Sequence, residues 1–152
     1  MRQLLVVWAI ALSALAGCAH FDDGTGSAIE RQLASPSRSA EDRTRDARDR
    51  PQAVLAFAGF GRGDTIADIF GGGGYYSELL SGLVGPDGQV LLVNNAPYDA
   101  YAKKDLQPRL ADDRLKNVRY SIAPNDALGL GENTLDGALI VMSYHDLYYV
   151  DP

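Results

Sequence analysis

Four consecutive glycines, Gly71, Gly72, Gly73 and Gly74, separate an apolar run from an aromatic–leucine run. That junction constrains the fold more than any other stretch of the chain. Thr65-Ile66-Ala67-Asp68-Ile69 reads as a short buried strand. After the glycines, apolar residues at 75, 76, 79, 80 and 83 recur with a helical period. Strand, glycine turn and helix together make the local geometry of a nucleotide-binding crevice. Glycine accepts positive φ and lets backbone approach a ligand, and the helix N-terminus offers unpaired N–H groups. A plain glycine-rich turn in a parallel α/β protein fits the four glycines equally well on their own.

Gly85-Pro86-Asp87-Gly88 is a strong turn signal, and Gln89-Val90-Leu91-Leu92-Val93 reads as a second strand ending at Asn94. The unit is βαβ, a crossover that is right-handed in nearly all sheets. Its ligand crevice is expected at the carboxyl ends of the strands, near residues 68–74 and Asn94. Asn117-Val118-Arg119-Tyr120-Ser121-Ile122 reads as a third strand, and residues 135–142 as a fourth. The fold class read from this alternation is α/β, Rossmann-like, with a mostly parallel sheet and helices on both faces.

These residues resemble the class I S-adenosylmethionine-dependent methyltransferases. That family begins with an acid at the end of strand one followed by G-x-G-x-G. Asp68-Ile69-Phe70-Gly71-Gly72-Gly73-Gly74 keeps the acid and the last two glycines, with Phe70 in place of the first. The family's second acid, which binds ribose hydroxyls, falls at Asn94, 26 residues after Asp68. An amide can hydrogen-bond a hydroxyl without the strength of a carboxylate. Asp126-Ala127 resembles the pair whose acid meets the adenine amino group. Ser143-Tyr144-His145-Asp146 falls where the family lines the methyl-transfer side. Over residues 45–51, Arg-Asp-Ala-Arg-Asp-Arg-Pro resembles the Arg-Asp-x-x-Arg-x-Pro segment of a narrower, often exported group, with Asp49 in place of its second arginine; in that group an aromatic residue also fills the first-glycine position.

The resemblance covers about residues 53–149 and implies S-adenosyl-L-methionine as a small-molecule methyl donor. It implies cofactor contacts from Asp68, the four glycines, Asn94, Asp126 and Ala127, and a sheet ordered 3-2-1-4. For the chemistry it points to His145 as base, since an imidazole titrates near neutrality, with Asp146 orienting it and Tyr144 walling the pocket. The competing reading of that stretch packs its tyrosines as core, with His145 as a cap. The family's full sheet has seven strands; the chain offers four, so strand four is expected to be an open apolar edge. That edge implies either a fragment, the reading preferred here, or a partner covering it.

The N-terminus reads as an export signal. Arg2 supplies the charge, residues 4–15 the apolar core, and Leu15-Ala16-Gly17-Cys18 resembles a bacterial lipoprotein cleavage box. The apolar run is shorter than the about 20 residues that a spanning helix needs. Cys18 is the sole cysteine, which excludes an intrachain disulfide or a cysteine-rich metal site; its place after Leu-Ala-Gly in the lipoprotein-like box implies that it carries the lipid. The expected domains are a leader over 1–17, a flexible tether over 18–38 and a methyltransferase-like part over 39–152. The tether follows from the Asp, Gly, Ser and Pro content, and Ser39 or Ala40 opens a charged helix. The expected location is the periplasmic side of a bacterial outer membrane, held by lipid.

The net charge of −6 and the lack of a basic cluster argue against a nucleic-acid partner. Function is left between a lipid-anchored methyltransferase and a non-catalytic binding or structural lipoprotein of the same fold. A dinucleotide oxidoreductase fits less well: the third position of G-x-G-x-x-G falls on Tyr76, and no acid ends strand two.

Overall fold

The computed structural model describes residues 23–148. The leader, Cys18 and Tyr149 therefore lie outside the described residues. No described helix is long and apolar enough to cross a membrane.

The described residues form five α-helices and four strands, in the order α1 (Asp23–Leu33), α2 (Ala40–Asp49), α3 (Pro51–Ala58), β1 (Thr65–Ile69), α4 (Tyr75–Val84), β2 (Gln89–Asn94), α5 (Ala96–Leu110), β3 (Val118–Ile122) and β4 (Gly137–Leu139). The strands form one sheet in the order β3-β2-β1-β4, and every neighbour pair is parallel. This is the α/β class and the order expected from the sequence. β1 lies inside the sheet, with Asp68 in register with Leu92 on one side and Leu139 on the other.

Local chemistry sets the boundaries. The Ser39 side chain caps α2 by accepting from the Asp42 backbone N–H at 3.0 Å, with Glu41 and Asp42 favourably placed in the first turn. Arg50, at φ 47°, ends α2, and Pro51 then opens α3 with a φ already suited to a helix. Asn95 caps α5 by accepting from the Tyr98 N–H at 2.9 Å.

Period two divides β1 between the faces of the sheet. Ile66 joins Leu55, Leu79, Leu80 and Val90 in the main core beneath α1, α3 and α4. Ala67 and Ile69 point the other way, into a smaller cluster with Phe70. That second face is covered by Leu128, Leu130, Leu135 and Leu147. These come from the loop after β3 and from a 3₁₀ turn at Tyr144–Tyr148, so loop replaces the helix expected on this side.

Two further differences from expectation have clear causes. Residues 23–33, read as tether, form α1 because Ile29, only 1% exposed, joins the main core, with Ala28 and Leu33 packed beside it. One well-placed apolar side chain outweighs the polar composition around it. β4 is three residues long where residues 135–142 read as strand. Met142 adopts φ 59° and is 85% exposed, and β4 pairs only with β1.

Candidate functional site

The glycine turn is built so that each glycine answers a different constraint. A Cβ on Gly71 would lie 2.3 Å from Leu92 Cδ1 and 2.4 Å from Asp68 Oδ2, so this residue must be bare for β1 to close on β2. Gly73 is limited less tightly and by α5 instead of the sheet, with Asp105 Cβ 2.8 Å from the position of an added Cβ. Gly74, at φ 80°, serves as the cap of α4. Gly72 differs: it has φ 58°, and nothing lies within 4 Å of where its Cβ would be. Its Cβ side is open, and the residue lines a cleft of about 740 Å³.

Asp68 is 2% exposed and lies at the floor of that cleft. Its Oδ2 accepts from the Ser77 hydroxyl at 2.6 Å, from the first turn of α4. Burial raises its pKa to about 6, against the smaller stabilising effect of the Ser77 hydrogen bonds. Asn94 is fully buried. Its amide clamps the turn, accepting from the Gly72 N–H at 3.0 Å and donating to the Gly72 carbonyl at 3.1 Å. Asn94 thus acts on the conformation of Gly72, and it does not line the cleft.

Phe70 holds φ 54° in the place of a glycine. Its ring stacks on Tyr98 of α5, centroids 5.0 Å apart, and both line the cleft. Tyr98 donates its hydroxyl to Asp146, and burial with this bond raises its pKa to about 12. Tyr76 and Ser143, both cleft residues, carry buried hydroxyls with no hydrogen-bond partner among the described residues. An unpaired buried hydroxyl costs on the order of 1–3 kcal/mol, and two in one cleft mark it as a place for a polar ligand.

The other expected residues fall outside the cleft. Asp126 and Ala127 are exposed, in a turn closed by Ala127 N–H donating to the Pro124 carbonyl at 3.0 Å. The His145 side chain is 78% exposed, with Nε2 3.3 Å from Asp146 Oδ1. Tyr144 is 61% exposed and its hydroxyl pairs with that of Tyr148 at 3.0 Å. Through Asp146, however, His145 is linked to Tyr98 and so to the cleft wall.

A charged cluster not read from the sequence supports the turn. Arg109 of α5 donates through Nε to the Gly73 carbonyl at 2.7 Å, and its Nη atoms meet Asp42 of α2 and Glu78 of α4. Arg114 completes the network on Glu78 at 2.6 Å. One guanidinium thereby ties the glycine turn to three helices.

A parallel sheet ordered 3-2-1-4, with a glycine turn after a buried acid near the end of β1, defines a Rossmann-like α/β domain. Among solved structures, the chain is similar to one described as a SAM dependent methyltransferase from Aquifex aeolicus, with 27% identity and a TM-score of 0.59. The likeness covers 82% of this chain and 60% of that one. No family model matches the sequence, and no curated protein does.

Proposed function

We propose that this chain binds S-adenosyl-L-methionine in the cleft and is a methyltransferase, with Gly72, Asp68 and Phe70 as the principal contacts. The observation that carries the reading is one cleft lined by both the buried carboxyl of Asp68 and Gly72, whose Cβ side is open. The solved methyltransferase to which the chain is similar supports it. The residues fit the donor. Gly72 lets it approach, the unpaired Tyr76 and Ser143 hydroxyls offer it polar partners, and ionised Asp68 favours a cation. When bound, the donor supplies an electrophilic methyl group on a sulfonium.

The chain's own part is positioning. Asn94 and Arg109 fix the turn, and the Phe70–Tyr98 stack forms one wall. Tyr98 stays protonated at neutral pH and acts as a hydrogen-bond donor, since its pKa is raised to about 12. His145, joined to Tyr98 through Asp146, is the group able to take a proton from an acceptor, and Tyr144 lies beside it. Asp126 and Ala127, exposed outside the cleft, are assigned to the adenine end on the sequence resemblance alone. The exposure of His145 favours a second reading, a binding module without turnover.

Calorimetric titration with S-adenosylmethionine tests the first step. Binding by the parent chain, weakened at least about tenfold by Gly72→Val, is the expected result. Absence of binding, or equal binding by both, overturns it. A turnover assay with parent and His145→Ala then separates enzyme from binding module.

Export and lipidation of Cys18 complete the proposal and rest on the leader sequence alone. Multiple acyl chains hold a protein firmly where one does not. Cys18→Ala is expected to block processing and release the protein from membranes, as read by fractionation. The free edge of β4 suits pairing with a further strand.

A further inference from the structure

We propose that Arg45 and Arg48 form an anion subsite at the α2 end of the cleft, taking a carboxylate or phosphate group of a ligand. Both arginines line the cleft, one helical turn apart on α2. Both spend the same nitrogen on the same carboxylate: each donates through Nε to Asp49, Arg48 at 2.6 Å. The Nη forks have no protein acceptor among the described residues. Each fork is shaped for a carboxylate or phosphate.

The charge balance points the same way. Asp49 is 8% exposed and alone serves the guanidiniums of both Arg45 and Arg48, whose side chains are 40% and 76% exposed. Neighbouring acids are engaged elsewhere. Asp46 holds both Nη atoms of Arg38 at 2.7 Å and the Tyr75 hydroxyl, and Asp42 holds Arg109. Glu41, one turn before Arg45, makes no ion pair with it. Among the described residues the two guanidiniums thus share a single ion-paired carboxylate, and Glu41, which also lines the cleft, is paired with neither.

Two features preorganise the corner. The Arg45 guanidinium lies over the Tyr75 ring, 4.1 Å from its centroid. The unpartnered Tyr76 hydroxyl, on a residue 5% exposed, lines the same cleft and supplies a neutral donor beside the cations. The anion has two chemical sources, the carboxylate of the methyl donor or a group on the methyl acceptor. Only the first rests on the donor-binding reading given above.

Calorimetric titrations of the chain and of the R45Q/R48Q double variant distinguish them. The probes are S-adenosylhomocysteine, 5′-methylthioadenosine (which lacks the amino-acid end) and inorganic pyrophosphate. If the donor's carboxylate occupies the subsite, the parent prefers S-adenosylhomocysteine to 5′-methylthioadenosine by about 10- to 100-fold. The double variant then loses that preference while holding 5′-methylthioadenosine unchanged. If the acceptor's group occupies it, both nucleosides bind the two proteins alike, and pyrophosphate binding is lost in the variant. Should the parent bind neither nucleoside, the donor reading fails, and the pyrophosphate arm still reports on the subsite. R48Q alone, at a largely exposed position, gives the same direction at smaller size if the double variant unfolds. Equal affinities of parent and variant for all three probes overturn the assignment.

Discussion

Asp68 carries a pH dependence that its surroundings define. Its carboxyl is buried against Ser77, and burial lifts the pKa from 3.8 to about 6. The folded state therefore binds the proton more tightly than the unfolded chain. The stability this contributes is fully present below 3.8 and is lost as pH rises through about 6. Asp68→Asn lacks that loss. Urea unfolding across this range should show the variant gaining about 3 kcal/mol on the parent between roughly pH 4 and pH 8. Parallel stability curves for the two proteins would show that the carboxyl titrates normally. The glycines permit a sharper contrast. An added Cβ at Gly71 collides with Leu92 and Asp68, whereas at Gly72 it meets nothing. Gly71→Ala is expected to lower stability by about 2–4 kcal/mol through overpacking. Gly72→Ala bears only the strain of its positive φ, about 1–2 kcal/mol. Thermal unfolding of the pair reads the difference directly.

Among the elements, α1 gives the clearest mechanical test. Ile29 is 1% exposed in the main core with Leu55 and Leu80. Ile29→Ala should cost about 2–5 kcal/mol, the range for emptying a buried aliphatic site. A change under about 0.5 kcal/mol, the usual size for a surface position, would mean that α1 does not dock. The same helix shows where sequence patterns stop. β1 and α4 could be read to the residue, because five apolar-rich positions and a regular helical stripe abut the glycines. β2 runs one residue beyond its apolar run, to Asn94, whose amide is drawn inward by Gly72. α1 hides among Gly24, Gly26 and Ser27, with a single strongly buried apolar residue to mark it. α5 is similarly obscured: Ala102 and Leu106 are its buried positions, set among lysines and aspartates. At the candidate site, Asp68 and the glycines are contiguous and so legible. Arg109 was not, because its partners Gly73 and Asp42 stand 36 and 67 residues away. Nothing local in the sequence records a pairing made only by the fold.

At the scale of the molecule, apolar packing and charge hold different parts together. The core under α1, α3 and α4 is largely aliphatic, with Tyr75 and Tyr76 among its members, and closes against Ile66 and Val90. The junction of α2, α4, α5 and the glycine turn is instead ionic, with Asp42, Glu78 and Arg109 all nearly buried, at 8%, 5% and 11% side-chain exposure. Desolvating three charges is costly, so such a cluster adds little net stability, and its removal is nonetheless severe because the survivors are left unpaired. Glu78 retains Arg114, but Asp42 retains no ion pair once Arg109 is gone. Arg109→Met should therefore lower stability by about 3–5 kcal/mol in urea unfolding. Arg109→Lys, with one point charge for a fork serving three acceptors, should fall between. Because the Gly73 carbonyl loses its donor in both variants, the cleft should also loosen. Backbone amide exchange at residues 71–74 is expected to quicken in both variants while exchange in β1 and β2 changes only with global stability. Equal quickening of the turn and the strands would mean that Arg109 stabilises the molecule as a whole without specifically holding the turn.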